Sequence, residues 1–148
     1  MAPPVLQYFR SHLFLKLPVP SRTFSGLTVI VTGANSGLGL EASVKAFVAR
    51  ADRLDRLDVV LENAGVLTHD FSIAEDNEKT ITVNVINTFL LAFLLLPKLR
   101  STSVKLSKEA VLTFTGSLTH WLAGFPERNS SSILRALADK DKADMRQR

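Results

Sequence analysis

Apolar and polar positions along this chain follow two rhythms in turn, and together they predict an alternating order of strands and helices. Leu27, Thr28, Val29, Ile30 and Val31 are β-branched or apolar without alternation, the pattern of a parallel strand buried on both faces. After Gly39, apolar residues at Leu40, Val44, Phe47, Val48, Ala51 and Leu54 fall at helical spacing, with Lys45, Arg50 and Arg53 on other faces. An amphipathic helix therefore follows the first strand. Asp58 to Leu61 reads as a second short strand, closed by the small-residue turn Glu62-Asn63-Ala64-Gly65, and residues 66 to 77 read as a loop. A long helix is predicted from Asn77 or Glu78 through Leu99. Its stripe of Ile81, Val85, Phe89, Ala92, Phe93 and Leu96 is widened by Leu90, Leu91, Leu94 and Leu95. A helix apolar on most sides is buried or lies at an interface, so self-association through the 78–99 segment is an expectation. Asn84 and Asn87 interrupt this surface, and a buried asparagine needs partners for its amide. Ala110 to Thr115 supply a third strand that runs into Gly116 and Ser117. Beyond Pro126 the chain turns polar, with Asn129 to Ser132 placed to cap a helix carrying Ile133, Leu134, Leu137 and Met145.

The junction of the first strand and helix carries the most chemistry. Val31 to Glu41 reads VTGANSGLGLE, placing Gly33, Gly37 and Gly39 directly after an apolar run and at the mouth of a helix. Such a turn lets the backbone approach a pyrophosphate, while the free N–H groups and the positive end of the helix face the anion. The order of strand, glycine turn and helix makes this a dinucleotide-binding signal, whereas a phosphate loop of the Lys-Ser or Lys-Thr kind is excluded because no such pair follows the glycines. Ser117 falls at the carboxyl end of the third strand, the edge on which open α/β sheets bind ligands.

With 148 residues, 46% of them hydrophobic and 22% charged, the chain has room for one modest domain with one core. It has no cysteine, which removes disulfides, thiolate metal sites and cysteine nucleophiles from consideration. His12, His69 and His120 are too dispersed in sequence to suggest a metal site, and none is expected. The net charge of +4 comes from basic residues spread among acidic ones after Glu41, so no nucleic-acid partner is expected. Residues 1–25 read as an N-terminal arm, and 26–148 as the domain. Up to Glu41 the chain has no acidic residue, and Arg10, Lys16 and Arg22 stand among Tyr8, Phe9, Leu13, Phe14, Leu15 and Leu17. That composition resembles a mitochondrial presequence, but Pro3, Pro4, Pro18 and Pro20 break a long amphipathic helix, and a cytoplasmic location is the expectation. The run Phe89 to Leu96 is far shorter than the roughly 20 apolar residues of a membrane span, so no transmembrane segment is expected.

The glycine turn, Asn63-Ala64-Gly65, the asparagine of Thr82-Val83-Asn84-Val85 and the serine after the third strand resemble, in that order, the short-chain dehydrogenase/reductase family. The wording LDRLDVVLENAGV, TVNVINTFLLAFLLLPKLR and FPER is most similar to fungal members with retinol-dehydrogenase-like relatives, which often act in secondary metabolism. The resemblance runs from about Ser25 onward. It implies that Gly33, Ser36, Gly37, Leu38 and Gly39 meet the cofactor pyrophosphate, and that Asn63, Ala64 and Gly65 line the adenosine side. It gives Asn84 the role of anchoring a proton-relay water through its helix backbone. Ser117 would hydrogen-bond the substrate oxygen and stabilise charge developing there. The implied cofactor is NADP, with NAD as the alternative, and the implied substrate is a small carbonyl compound or alcohol of lipophilic character.

Two departures from the family pattern are equally plain. The family's Tyr-x-x-x-Lys pair, in which the phenol is the acid/base and the ammonium lowers its pKa, is missing: the one tyrosine is Tyr8, and neither Lys140 nor Lys142 has a tyrosine four residues earlier. One helix also joins the glycine strand to the Asn-Ala-Gly strand, where relatives place two further strands and their helices. The expected fold is therefore a partial Rossmann-like, doubly wound parallel sheet reduced to about three strands, truncated and internally deleted. The shortened crossover is expected to distort either the glycine turn or the connection, and to expose Val29, Ile30 and Val31 along an edge. Function divides accordingly between an oxidoreductase and a noncatalytic family member that binds nucleotide weakly or pairs with other chains.

Overall fold

The computed structural model describes residues 21, 23–33, 41–117, 120 and 123–145. Its centre is a three-stranded parallel sheet in the order β1-β2-β5, built from β1 (Val29–Val31), β2 (Val59–Glu62) and β5 (Val111–Phe114). The register sets Ile30 beside Val60 and Val60 beside Leu112. These three side chains share one face, and the core gathers over it. Helix α1 (Glu41–Ala51) contributes Val44, Val48 and Ala51 to that core. Leu57, Val60, Leu91, Leu95 and Leu99 complete it.

The second crossover is long. A hairpin of β3 (Ile73–Ala74) and β4 (Asn77–Glu78) turns at Glu75 and Asp76, both at positive φ, as a two-residue hairpin loop requires. Within the stretch expected to be a loop, it places the fully buried Glu78 before α2 (Lys79–Leu106), where its carboxylate accepts from the N–H groups of Thr80 and Ile81. This satisfies donors that a helix start leaves unpaired. Helix α2 passes through a π-helical segment over Thr82–Asn87 before continuing as a regular α-helix from Thr88 to Leu106. It runs seven residues past the expected end at Leu99. Over Lys79–Leu106 it is long and apolar enough, by length and composition, to cross a membrane. Leu91, Ala92, Leu95, Leu99 and Thr102 are nevertheless buried, three of them, Leu91, Leu95 and Leu99, in the core with the sheet and α1. In all, 33% of its most apolar 18-residue stretch is buried.

Strands added in one direction, β1-β2-β5, with crossovers of one hand put both connecting helices on one face. Helices α1 and α2 do share a face and a core. Among the described residues no helix packs on the other face, where Val29, Val31, Val59, Leu61, Val111 and Thr113 line up by register. Among the described residues β1 is an edge strand, as expected, but of the three residues expected to be exposed there only Val31 is, Val29 and Ile30 being half-buried. The expected distortion of the glycine turn falls on residues 34–40, outside the described residues.

At the C-terminal end the helical pattern is shorter than its periodicity promises. Helix α3 covers Ile133–Leu137, and Met145 reaches a buried position only after several turns beyond it. Ser132 precedes α3 without making a side-chain capping bond.

Candidate active site

The carboxyl ends of the three parallel strands converge on a small set of neutral polar groups. Thr32, the residue after β1, is buried and places its hydroxyl oxygen 2.9 Å from the backbone nitrogens of both Asn63 and Ala64. One side chain thereby satisfies two donors in the turn after β2. Gly33 follows at φ +89°, and a Cβ built on it would lie 3.1 Å from the Cα and nitrogen of Ala64. Glycine at 33 is thus required by contact between two protein turns as well as by its conformation.

The turn after β2 is tied on its other sides too. Thr115 donates from its hydroxyl to Asn63 Oδ1 at 3.1 Å, and its N–H donates to the Glu62 carbonyl at 2.9 Å. Asn84 reaches back from the π-helical segment. Its Oδ1 accepts from Val66 N–H and its Nδ2 donates to the Val66 carbonyl, both at 2.8 Å. A Cβ on Gly65 would lie 3.4 Å from Asn84 Oδ1. The Asn84 side chain is therefore committed to the loop after Gly65, and any part in a proton relay falls to its backbone. A π-helical segment at this point disturbs the regular ladder, and such segments are frequent at functional sites.

The structure thus brings together Gly33, Asn63, Ala64, Gly65 and Asn84 from the predicted set. Ser36, Gly37, Leu38 and Gly39 lie outside the described residues. Ser117 stands two residues beyond Thr115, past the end of β5. Its carbonyl oxygen meets the backbone N–H and the ring Nδ1 of His120. Thr32 and Thr115 escaped the sequence reading because a threonine beside a glycine turn carries no chemical signature of its own.

Glu62 departs furthest from its expected place. Instead of opening the turn, it ends β2 with 4% exposure, on the face of Val60, and among the described residues its Oε1 has no hydrogen-bond partner. Burial pushes its carboxyl up to about 7. An acidic group at a strand end, between Leu61 and Asn63, reads as a turn residue from sequence alone. Register with Val60 is what turns it inward.

Beyond Ser117 a pocket of about 550 Å³ opens between the start of α2 and the C-terminal segment. Ile81, Val85, Phe125, Ile133 and Leu134 give it an apolar lining, and His120 is among its polar members. Toward a nicotinamide dinucleotide at this edge, the described residues would act through shape. The N–H groups of Asn63 and Ala64 are taken by Thr32, so these residues supply a wall rather than phosphate donors, and the small side of Gly33 keeps the two turns in contact.

Sequence comparison finds relatives that are short-chain dehydrogenases. Short-chain dehydrogenase anuD of Penicillium roqueforti is 34% identical over 97% of this chain and 50% of its own length. Short chain dehydrogenase atnD of Emericella nidulans is 32% identical over 97% of this chain and 62% of its own. Over nearly its whole length the chain is similar to curated short-chain dehydrogenases. Short chain dehydrogenase/reductase dmxR8 of Cryptosporiopsis sp. matches at 30% identity over 93% of the chain and 59% of its length. The chain thus spans about half to two thirds of the length of the first of these curated relatives. The match to anuD extends over 193 positions although the chain has 148 residues, which agrees with a shortened connection inside the domain. No family model matches the chain.

Among solved structures, the fold is similar to that of an NADH-dependent reductase, A1-R′, responsible for alginate metabolism. The TM-score is 0.52 at 16% identity, covering 66% of this chain and 51% of that one. The same reductase complexed with NAD gives a TM-score of 0.50 at 21% identity, over 60% and 39% of the two chains. The shared feature is a Rossmann-like parallel sheet.

Proposed function

We propose that this chain is an oxidoreductase of the short-chain dehydrogenase/reductase type that transfers hydride between NADP(H) and a lipophilic ketone or alcohol, in the biosynthesis of a secondary metabolite. The observation that carries the reading is the meeting of Gly33, Ala64, Gly65 and Asn84 at the carboxyl ends of adjacent parallel strands, where open α/β sheets take their ligands. The nicotinamide ring, when bound, supplies or accepts the hydride. Gly33, Ser36, Gly37, Leu38 and Gly39 form the phosphate side in this reading, and Asn63, Ala64 and Gly65 the adenosine side. Ser117 donates a hydrogen bond to the substrate oxygen and stabilises the alkoxide character that develops as the carbonyl accepts hydride. Support for a lipophilic substrate comes from the apolar pocket beside His120. NADP in preference to NAD rests on the resemblance to fungal relatives, and their names as dehydrogenases support the activity.

A second reading is favoured by a specific observation: Tyr8 is the one tyrosine, and no lysine stands four residues after it. Without a phenol at the site, the proton that must accompany hydride transfer lacks the family's donor. The chain is then a noncatalytic member that binds nucleotide weakly or acts as an interaction module.

Titration calorimetry with NADPH and NADH, followed by reduction of a lipophilic ketone monitored through NADPH absorbance, separates the two. Turnover that falls at least tenfold in Ser117→Ala supports the oxidoreductase. Nucleotide binding without turnover supports the noncatalytic reading, and absence of both removes the nucleotide site from this chain.

A further inference from the structure

Glu62 is a buried acid that no step proposed at the nucleotide edge uses. It closes the central strand β2 on the face of Val60 with 4% exposure, and among the described residues its Oε1 has no hydrogen-bond partner. The elements packed around β2 supply no counter-charge. On α1, Glu41, Lys45 and Arg50 are exposed. On α2, Lys79, Arg100 and Lys105 are exposed, Lys98 donates to the Asp52 carbonyl, and the buried Glu78 is bonded to Thr80 and Ile81. Strands β1 and β5 carry no charged residue. Burial is accordingly the cause that raises the Glu62 carboxyl from 4.5 to about 7, because a carboxylate there loses its water without gaining a donor.

The same residue is the root of the turn after β2. Its carbonyl accepts from Thr115 N–H at 2.9 Å, and in register it stands beside Phe114. Asn63 donates its N–H to Thr32 Oγ1 at 2.9 Å and accepts at Oδ1 from the Thr115 hydroxyl at 3.1 Å. Ala64 donates to the same Thr32 oxygen and backs onto Gly33. An inward side chain at a strand end reaches water by rotation of its own backbone. Each of these contacts is made by that backbone or by the next two residues.

We propose that Glu62 is a proton-operated latch: protonated, it holds the turn at residues 63–65 against β1 and β5, and ionised, it swings out of the core and releases that turn. The two forms differ in proton affinity, the released carboxyl titrating near the usual 4.5 and the latched one at about 7. Release is favoured progressively as pH rises between those values and gains nothing further above them. The consequence for ligands rests on the oxidoreductase reading, in which Asn63, Ala64 and Gly65 form the adenosine-side wall. On that reading the latched fraction alone is competent, and nucleotide affinity falls as pH rises through the same window.

Amide hydrogen exchange of the full chain tests the latch without nucleotide. The amides of Asn63 and Ala64 report release of the turn. That of Val59, which donates to the Thr28 carbonyl at 3.2 Å, reports opening of the sheet as a whole, so the ratio of their protection isolates the local event. Between about pH 5 and about pH 8 the protection of Asn63 and Ala64 relative to Val59 is expected to fall about tenfold or more. In Glu62→Gln, which has no carboxyl to ionise, it is expected to stay constant. Titration calorimetry with NADH, which lacks the titrating 2′-phosphate of NADPH, is expected to show affinity falling about threefold or more over that range in the unmodified protein and not in the variant. Relative protection that is flat in the unmodified protein, or that falls equally in Glu62→Gln, overturns the latch. NADH bound with one affinity at both pH values overturns its control of the site. Exchange that switches as expected with no NADH binding at either pH supports the latch and removes the nucleotide reading instead.

Discussion

Gly33 and Ala64 touch through their backbones, and this contact joins the end of β1 to the end of β2. Gly26 provides an internal comparison, because it too has positive φ, +75°, but nothing lies within 4 Å of where its Cβ would stand. Alanine at position 26 meets only the conformational penalty, about 1–2 kcal/mol. Alanine at 33 meets that penalty and a clash with backbone that cannot swing away, so Gly33→Ala is expected to lose about 2–4 kcal/mol. Urea denaturation of the two variants measures the difference. Equal losses would show that the Gly33–Ala64 contact relaxes freely.

Thr32 is expected to matter through its oxygen. Thr32→Val conserves shape but leaves the N–H groups of Asn63 and Ala64 without their acceptor, at a cost of about 1–3 kcal/mol for the buried pair of donors. Thr32→Ser returns the acceptor and is expected to recover most of that loss in the same denaturation assay. If valine and serine behave alike, the hydroxyl is not what holds the turn.

Much of this arrangement was legible in the sequence, and the limits are physical. Unalternating apolar runs located β1, β2 and β5 to within one or two residues, although the burial on both faces that such runs signal is met, among the described residues, by helices on one face only. The long apolar helix was equally visible, although Lys98, Lys105 and Ser107 gave no clean stop and the helix ends at Ser107 in a left-handed conformation. The hairpin at Glu75 and Asp76 was not legible, since its strands are two residues each. Glu62 was misread because its inward direction follows from β2 continuing one residue further, which puts it on the face of Val60, and that extension rests on pairing with β5. Of the candidate site, the glycine turn and Asn63-Ala64-Gly65 were read from type and order. Thr32 and the tie between Asn84 and Val66 are long-range hydrogen bonds and needed coordinates.

Asp58 links the starts of the strands and predicts an acid-sensitive fold. Its Oδ2 accepts from Thr28 N–H at 2.9 Å and from Arg56 Nε at 2.8 Å. Hydrogen bonding to Arg56, above all, holds its carboxyl below the usual value of 3.8. A depressed carboxyl contributes stability that is present above the unfolded pKa and is lost as pH falls through the folded one. Asp58→Asn is therefore expected to be about 1–3 kcal/mol less stable than the unmodified protein near neutral pH, with the gap closing in acid. Thermal melts across the acid range measure it. A gap that persists unchanged in strong acid would assign the effect to packing instead of charge.

Glu62 predicts the opposite dependence. Its carboxyl is raised to about 7 by burial, from a usual value of 4.5, so between those values the folded chain keeps a proton that the unfolded chain has released. Stability must fall as pH rises through that window and level off above it, by about 3 kcal/mol in total from this one group. Glu62→Gln keeps the size and removes the charge. The variant is expected to match the unmodified protein at about pH 4 and to exceed it by up to about 3 kcal/mol at about pH 8, measured as denaturation midpoints at each pH. The unpaired Oε1 makes the direction of this effect firm, because ionisation gains no hydrogen bond there to offset its desolvation. If Glu62→Gln is less stable at high pH, the carboxylate has a cationic or donor partner when ionised, and the turn after β2 rearranges to supply it.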